Sequence, residues 1–224
     1  MKITAVYGQV HKKNTYKVTQ LLLNQLDCSK EDIIEFNIND IPPCCGCAQC
    51  INKDEHLCPH HKPIANIITA IDDADIIVLA SPNYCMGMTG QMKSFCDHMA
   101  YRWMSHRPVD MRSKIGVAIS TTAGIGASKT TKQIAEQMIW WSIGRVYQMP
   151  FTVGAFSMEE AKPKRMDKLN NKISKLAKTI NRKIDRSKPC FKTKFYFRIM
   201  SMMHKGMPWN QIETDYWKEK GWIK

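Results

Sequence analysis

Short apolar runs and longer amphipathic stretches take turns along the first 155 residues. Residues 3–7 (Ile-Thr-Ala-Val-Tyr), 32–37 (Asp-Ile-Ile-Glu-Phe-Asn), 75–80 (Asp-Ile-Ile-Val-Leu-Ala), 114–120 (Lys-Ile-Gly-Val-Ala-Ile-Ser) and 145–153 read as strands. The third is apolar at successive positions, the pattern of a parallel strand buried on both faces. After the first strand, Val18, Leu21, Leu22 and Leu26 share one helical face. Further helices are expected over 63–72, over 91–104, which has neither Pro nor Gly, and over 128–143. Five strands alternating with helices predict an α/β fold built on a doubly wound five-stranded parallel sheet. In the strand order 2-1-3-4-5, the carboxyl ends of strands one, three and four lie side by side at the switch point. Ligands bind there in open α/β sheets.

The pattern changes beyond residue 155. Met166, Leu169, Ile173, Leu176, Ile180 and Ile184 step by threes and fours from Pro163 onward, which predicts a helix with one apolar stripe. An aromatic and Met-rich tail follows Pro189 and runs on through Asp215-Tyr216-Trp217. The expected division is therefore 1–155 as the sheet domain and 156–224 as a helical, basic and aromatic C-terminal extension. So many large apolar groups need a surface to cover. An arm packed on its own core or on a partner subunit is expected, with a homo-oligomer (dimer or tetramer) as the assembly. A helix lying on a membrane surface ranks below that.

Charge is uneven. The 224 residues carry a formal net charge of +13, and fifteen Lys or Arg fall between Lys162 and Lys205 against only Asp167 and Asp185. Nucleic acid, anionic lipid, a phosphorylated cofactor or an acidic partner would each match such a surplus. A solvated cationic face ranks ahead of any of them, and no nucleic-acid partner is expected. No run of eighteen apolar residues occurs, so no membrane span is expected. The amino terminus reads as a strand and not as a signal peptide, which makes a cytoplasmic protein the expectation.

Three loops carry ligand chemistry. Gly8-Gln9-Val10-His11-Lys12-Lys13-Asn14-Thr15-Tyr16 joins a strand to a helix, the geometry of an anion site, with Asn14 and Thr15 as side-chain donors and Lys12 or Lys13 as charge. The plain alternative is a capping loop with Asn14 or Thr15 as the N-cap. With Gly8 as its sole glycine it is neither a Walker loop nor a dinucleotide fingerprint, so a phosphate monoester fits better than a diphosphate. In the stretch from Ser81 to Gly90, Pro82 stiffens the chain, Tyr84 and Met86 offer polarisable surface, and Gly87 and Gly90 allow close backbone approach. These features suit a flat aromatic ligand. Thr121-Thr122-Ala123-Gly124-Ile125-Gly126 is a third loop of this kind.

These residues resemble, over about 1–155, the NAD(P)H-dependent FMN reductases and iron–sulfur flavoproteins of flavodoxin-like fold. The first loop stands where that family has Gly-Ser-x-Arg-x-x-x-Asn-Thr, with Gln9 and His11 departing from it. Ser81-Pro82-Asn83-Tyr84, Met88-Thr89-Gly90-Gln91-Met92-Lys93 and Phe95-Cys96-Asp97-His98 are similar to Ser-Pro-x-Tyr, Met-x-Gly-x-x-Lys and Phe-x-Asp-Arg, with His98 in place of Arg. Thr121-Thr122-Ala123-Gly124 is a looser match. The resemblance implies bound FMN, with its phosphate on residues 12–16, Lys12, Asn14, Thr15 and Tyr16 among them, and Gln9 as a further cofactor-binding residue. It implies an isoalloxazine ring held by Pro82, Asn83, Tyr84, Cys85 and Met86, and a far edge lined by Thr121, Thr122, Ala123 and Gly124. NADH or NADPH would be the co-substrate and a small molecule the electron acceptor. The flavin carries the redox chemistry, so no catalytic side chain is named.

Nine cysteines are many, and five fall between Cys44 and Cys58. An odd number without a signal sequence argues against a disulfide framework. Cys44, Cys47, Cys50 and Cys58 are spaced C-x₂-C-x₂-C-x₇-C, close to the compact motif of iron–sulfur flavoproteins, and suit a 4Fe-4S cluster. Zinc ranks below that. A flavoprotein without metal ranks ahead of both. His56, His60 and His61 read as solvated loop residues, Cys85 and Cys96 as packing or lining the flavin site, and Cys28 and Cys190 carry no signal. The leading expectation is an FMN-dependent reductase. The alternatives are an iron–sulfur flavoprotein that carries electrons and a non-catalytic basic binding module.

Overall fold

The computed structural model describes every residue except 105, 185, 186, 208 and 209, so Asp185 lies outside the described residues. Five parallel strands form one sheet in the order β2-β1-β3-β4-β5. They are β1 (Ile3–Tyr7), β2 (Ile33–Asn37), β3 (Ile76–Ala80), β4 (Ile115–Thr122) and β5 (Arg145–Thr152). β1, β3 and most of β4 are buried at every position, because helices cover both faces. β2 is an edge strand and stays partly open, with Ile34 exposed.

The helices divide between the two faces. On one lie α3 (Ala65–Asp73), α4 (Gly90–His98) and α6 (Ala127–Trp140), with Ile71, Phe95 and Met138 wholly buried in a shared core. On the other lie α1 (Asn14–Leu23) and α7 (Pro163–Lys183). Leu169, Ile173, Ala177 and Ile180 of α7 pack with Val18 and Leu22 of α1 against β1, β3 and β4. Each fully buried Leu or Ile of this kind contributes roughly 1.5–3 kcal/mol. Part of the sheet's helical cover is thus drawn from beyond residue 155.

The helix expected over 91–104 is interrupted. Met99 has φ −95° and ψ 17°, which ends α4, and a second helix, α5 (Ala100–Met104), follows. The change of direction buries Arg102, whose Nη2 donates to Asp72 Oδ1 at 2.6 Å. No Pro or Gly marks the break, because a tertiary ion pair makes it.

The tail folds back onto the chain's own core. α8 (Phe191–Gly206) and α9 (Gln211–Glu219) share a small core of Met200, Trp217 and Ile223. The junction is fixed by Cys190 N donating to Gly144 O at 2.8 Å and by Thr193 Oγ1 donating to Ile143 O at 2.9 Å. Arg112 sits 4.0 Å from the Phe197 ring centre and 5.0 Å from that of Trp222, a cation–π clamp. Phe191, Phe195 and Met202 of α8 remain exposed. Among the described residues, no helix is long and apolar enough to cross a membrane.

Candidate functional site

The loops that leave the carboxyl ends of β1, β3, β4 and β5 converge on one cleft of about 330 Å³. Its walls include Asn14, Thr15, Pro82, Asn83, Tyr84, Thr121, Thr122 and Ala123, eight of the residues expected from sequence. Lys13, one of the two lysines expected to supply charge, also lines it, and His11 and Phe156 complete it.

The first loop is pinned to the loop after β3 by a close approach. Gly8 N donates to Ala80 O at 2.8 Å, and Thr89 Oγ1 donates to Gly8 O at 2.7 Å. A Cβ at Gly8 would stand 2.6 Å from Thr89 Oγ1, so a side chain there would part the two loops. Gln9 follows and is buried, yet among the described residues neither its amide nitrogen nor its amide oxygen has a hydrogen-bond partner. Such a group costs free energy unless something completes it.

The helix start differs from the capping expectation. The N-cap of α1 is Lys13, and no side chain caps it. Asn14 is spent elsewhere: its Nδ2 donates to Phe156 O at 2.8 Å and its Oδ1 accepts from Met158 N at 3.0 Å. Thr15 is buried, and its hydroxyl lies 2.7 Å from that of Thr121. The first-turn N–H groups of α1 therefore have no side-chain cap and open at the cleft beside Lys13. That is anion-binding chemistry.

The second loop is held on both sides. Asn83 N donates to Thr121 O, its Nδ2 donates to Ile125 O at 3.1 Å, and its Oδ1 accepts from Thr130 Oγ1 at 2.8 Å. Tyr84 and Gly87 exchange both backbone hydrogen bonds at 3.0 Å, closing a two-residue turn. Its central residues, Cys85 and Met86, have φ of 48° and 66°. This left-handed conformation favours Gly, and holding other residues there costs of order 1–3 kcal/mol each. The Tyr84 hydroxyl lies 3.1 Å from His11 Nε2, which ties the first loop to this turn.

The remaining expected residues lie off the cleft walls. Cys85 and Met86 are exposed at the turn, as is Gly124 in its own loop. Lys12 is exposed, with its ammonium 5.3 Å from the Tyr16 ring centre, and Tyr16 packs on Tyr7 at 5.2 Å. Val10, Tyr84, Met86, Ile125 and Phe156 are all exposed, one or two from each of the four loops, and Phe156 is 91% exposed. The Phe156 loop carried no signal in the sequence beyond its place after the fifth strand.

A second group of functional residues surrounds the short helix α2 (Gln49–Asn52). Cys44, Cys45 and Cys47 are exposed, Cys58 is half-buried and Cys50 is buried. Burial pushes the Cys50 thiol up to about 11, with further upward contributions from Cys58, Cys44 and Cys47. Burial likewise raises Cys58, and Cys44, Cys47 and Cys45 add to it. The four sulfurs of the C-x₂-C-x₂-C-x₇-C motif thus share one neighbourhood. Among the described residues, however, no three Cys, His, Asp or Glu are arranged as a ligand set. His98 is buried beside them. Its Nε2 donates to Pro42 O at 2.7 Å, and its Nδ1 faces Cys58 Sγ at 3.8 Å. His56 is exposed as expected. His60 and His61 are half-buried instead, His60 edge-on to His98 at 5.4 Å, because the segment folds against α4. Cys96 packs in the core and not at the cleft, and burial pushes its thiol up to about 12.

The model of the NADPH-dependent FMN reductase family matches residues 1–160. The chain belongs to that family. An FMN-dependent oxidoreductase activity goes with membership, and the cleft lies at the switch point where such sheets hold their ligand. An iron-sulfur flavoprotein of Archaeoglobus fulgidus is similar over its whole length, 25% identical over 228 residues, with 100% of each chain covered. The likeness therefore runs beyond residue 155 into the C-terminal extension. An iron-sulfur flavoprotein of Methanocaldococcus jannaschii is 28% identical over 143 residues, covering 60% of this chain and 69% of that protein. The apo form of an NADH:FMN oxidoreductase shares the fold, with a TM-score of 0.54 and 16% identity over 84% of this chain and 94% of that one.

Proposed function

We propose that this FMN-dependent oxidoreductase takes electrons from NADH or NADPH and passes them through bound FMN to a small-molecule acceptor. The observation that carries the reading is the single cleft in which the uncapped start of α1 faces the loops after β3 and β4. In this reading the first-turn N–H groups at 14–16, with Lys13, hold the phosphate. Pro82, Asn83 and Tyr84 flank the ring, Thr121, Thr122 and Ala123 border its edge, and the unpartnered amide of Gln9 gains its missing partner. FMN supplies the hydride and electron transfer chemistry. The chain's own part is to bind, to orient and to exclude water. The doubly anchored Asn83 and the strained Cys85-Met86 turn hold the ring wall in place before anything binds.

The test is a visible spectrum of the FMN-loaded protein under anaerobic conditions, before and after NADPH and then NADH. Flavin bands that bleach within seconds with either nucleotide support the proposal. Bands that bleach only with dithionite overturn the nucleotide step and leave FMN binding standing.

A second reading adds a 4Fe-4S cluster on Cys44, Cys47, Cys50 and Cys58, which would supply single-electron transfer. It is supported by the shared neighbourhood of the four sulfurs and by the full-length likeness to an iron-sulfur flavoprotein. Iron and acid-labile sulfide assays on anaerobically purified protein decide it. Four of each per chain support the cluster, and none of either removes it.

A further inference from the structure

One groove lies apart from the cleft and from the cysteines. It runs beside the outer edge of β5 and is bounded by the start of α6 and the first turns of α7, with a volume of about 490 Å³. Half-buried Pro150 lines its floor, with Phe151 and Leu169 buried beneath, and Ser128 and Thr152 add polar atoms. Its wall is cationic, with Lys164, Lys168 and Lys172 stacked at every fourth position of α7 and Arg165 beside them. From Lys164 to Lys172 the helix advances about 12 Å, so the wall can meet more than one anionic group at a time.

These charges are not neutralised from within. Among the described residues, none of the four makes an ion pair, and Asp167 is the sole acid on α7. Like charges four residues apart on a helix repel one another. The repulsion is small at such exposed positions, and an anion in the groove would relieve it. Arg165 is also fixed in place: its Nη1 donates to Thr152 O at 3.1 Å, and it packs so closely over Gly154 that a Cβ there would stand 2.8 Å from the guanidinium carbon. A simple solvated surface has no need of an anchored cation. The volume falls within the usual range for small-molecule sites.

We propose that this groove binds a nucleotide-class small molecule, with its phosphates on Lys164, Lys168 and Lys172 and its base against Pro150 and the apolar stems of those lysines. The site is separate from the cleft assigned to FMN and does not depend on that assignment.

The test is calorimetric titration of the FMN-loaded protein with ADP, which carries both an aromatic base and two phosphates, and in parallel with inorganic pyrophosphate. One ADP per chain is expected, with affinity that falls as salt rises. The double variant Lys168→Ala, Lys172→Ala is expected to bind ADP at least tenfold more weakly. Lys175→Ala with Lys178→Ala, outside the groove on the same helix, is expected to change it less than twofold. All these residues are exposed, so both variants should keep the parent melting temperature and FMN content. Absence of saturable ADP binding, equal weakening by both pairs, or displacement of FMN by ADP would each overturn the proposal. Pyrophosphate binding as tightly as ADP would overturn the nucleotide assignment in favour of a free-phosphate site.

Discussion

Replacing Glu213 by glutamine tests how the C-terminal arm is held. Glu213 lies on α9, is fully buried, and among the described residues neither of its carboxylate oxygens has a hydrogen-bond partner. Burial pushes its carboxyl up from 4.5 to about 7, with Arg107 pulling the other way. Arg107 is itself committed to the cysteine segment. It donates to Cys50 O at 2.7 Å and to Lys53 O at 3.3 Å, and its Nε lies 3.6 Å from Glu55 Oε2. The folded chain keeps a proton on Glu213 through a pH range in which the unfolded chain has released it. Stability from this group is therefore greatest below about pH 4.5, falls as the pH rises towards 7, and is lost in full above that. A rise of that size, at about 1.4 kcal/mol per pH unit, amounts to a penalty of about 3 kcal/mol at pH 8.

Glutamine is the neutral isostere, so the protein carrying Glu213→Gln should match the parent near pH 4.5 and exceed it by about 3 kcal/mol at pH 8. In a chain of this size that difference corresponds to about 6–12 °C in melting temperature. Urea melts of both proteins at pH 5, 6, 7 and 8 measure it. Taking the difference between the two proteins cancels every other titrating group, including His106, whose burial lowers it to about 4. Parallel pH profiles for the two proteins, with a constant offset, would refute the reasoning.

Two further substitutions probe the junction and the cleft. In Gly144→Ala the new Cβ would stand 2.0 Å from Arg112 O, a backbone atom that cannot swing aside. A loss of about 1–3 kcal/mol in urea melts is expected, with looser docking of α8 seen as faster amide exchange around Cys190, whose N–H is bonded to Gly144 O. Thr121→Val deletes the hydroxyl that meets Thr15 at 2.7 Å in the buried floor of the cleft. About 1–2 kcal/mol of stability should go, and FMN affinity, read by fluorescence quenching, should fall by about the same free energy, roughly tenfold.

The parts of the fold that were legible in sequence are those that local pattern determines. β3 announces itself by five buried apolar residues in succession, and the loop after it by Pro82 and the glycines. The strand order 2-1-3-4-5, expected from the flavodoxin-like resemblance and not from handedness alone, is the order observed. The parts that were not legible are set by partners distant in sequence. Asn14 looks like a cap because Asn is a good cap, yet its amide bonds residues 142 and 144 positions away. The break at Met99 has no local breaker because Arg102 turns to reach Asp72, thirty residues back.

Glu213 shows the same limit most sharply, and explains why it matters for function. In sequence it is one of the polar residues of a short amphipathic helix, and such a residue is ordinarily solvated. It becomes buried only because α9 lies over the segment that carries Cys50. Asn210 Nδ2 donates to Ile51 O at 2.9 Å, and Tyr216 Oη donates to Pro108 O at 2.9 Å, next to Arg107. The aromatic tail, which by composition alone called for some surface to cover, thus covers the back of the cysteine segment. The arm is bonded to the short helix that carries Cys50. A change that frees α9 should therefore be felt at Cys50 before it is felt at the cleft, because the arm's bonds run to Ile51 and Pro108 while the cleft is held by bonds among its own loops.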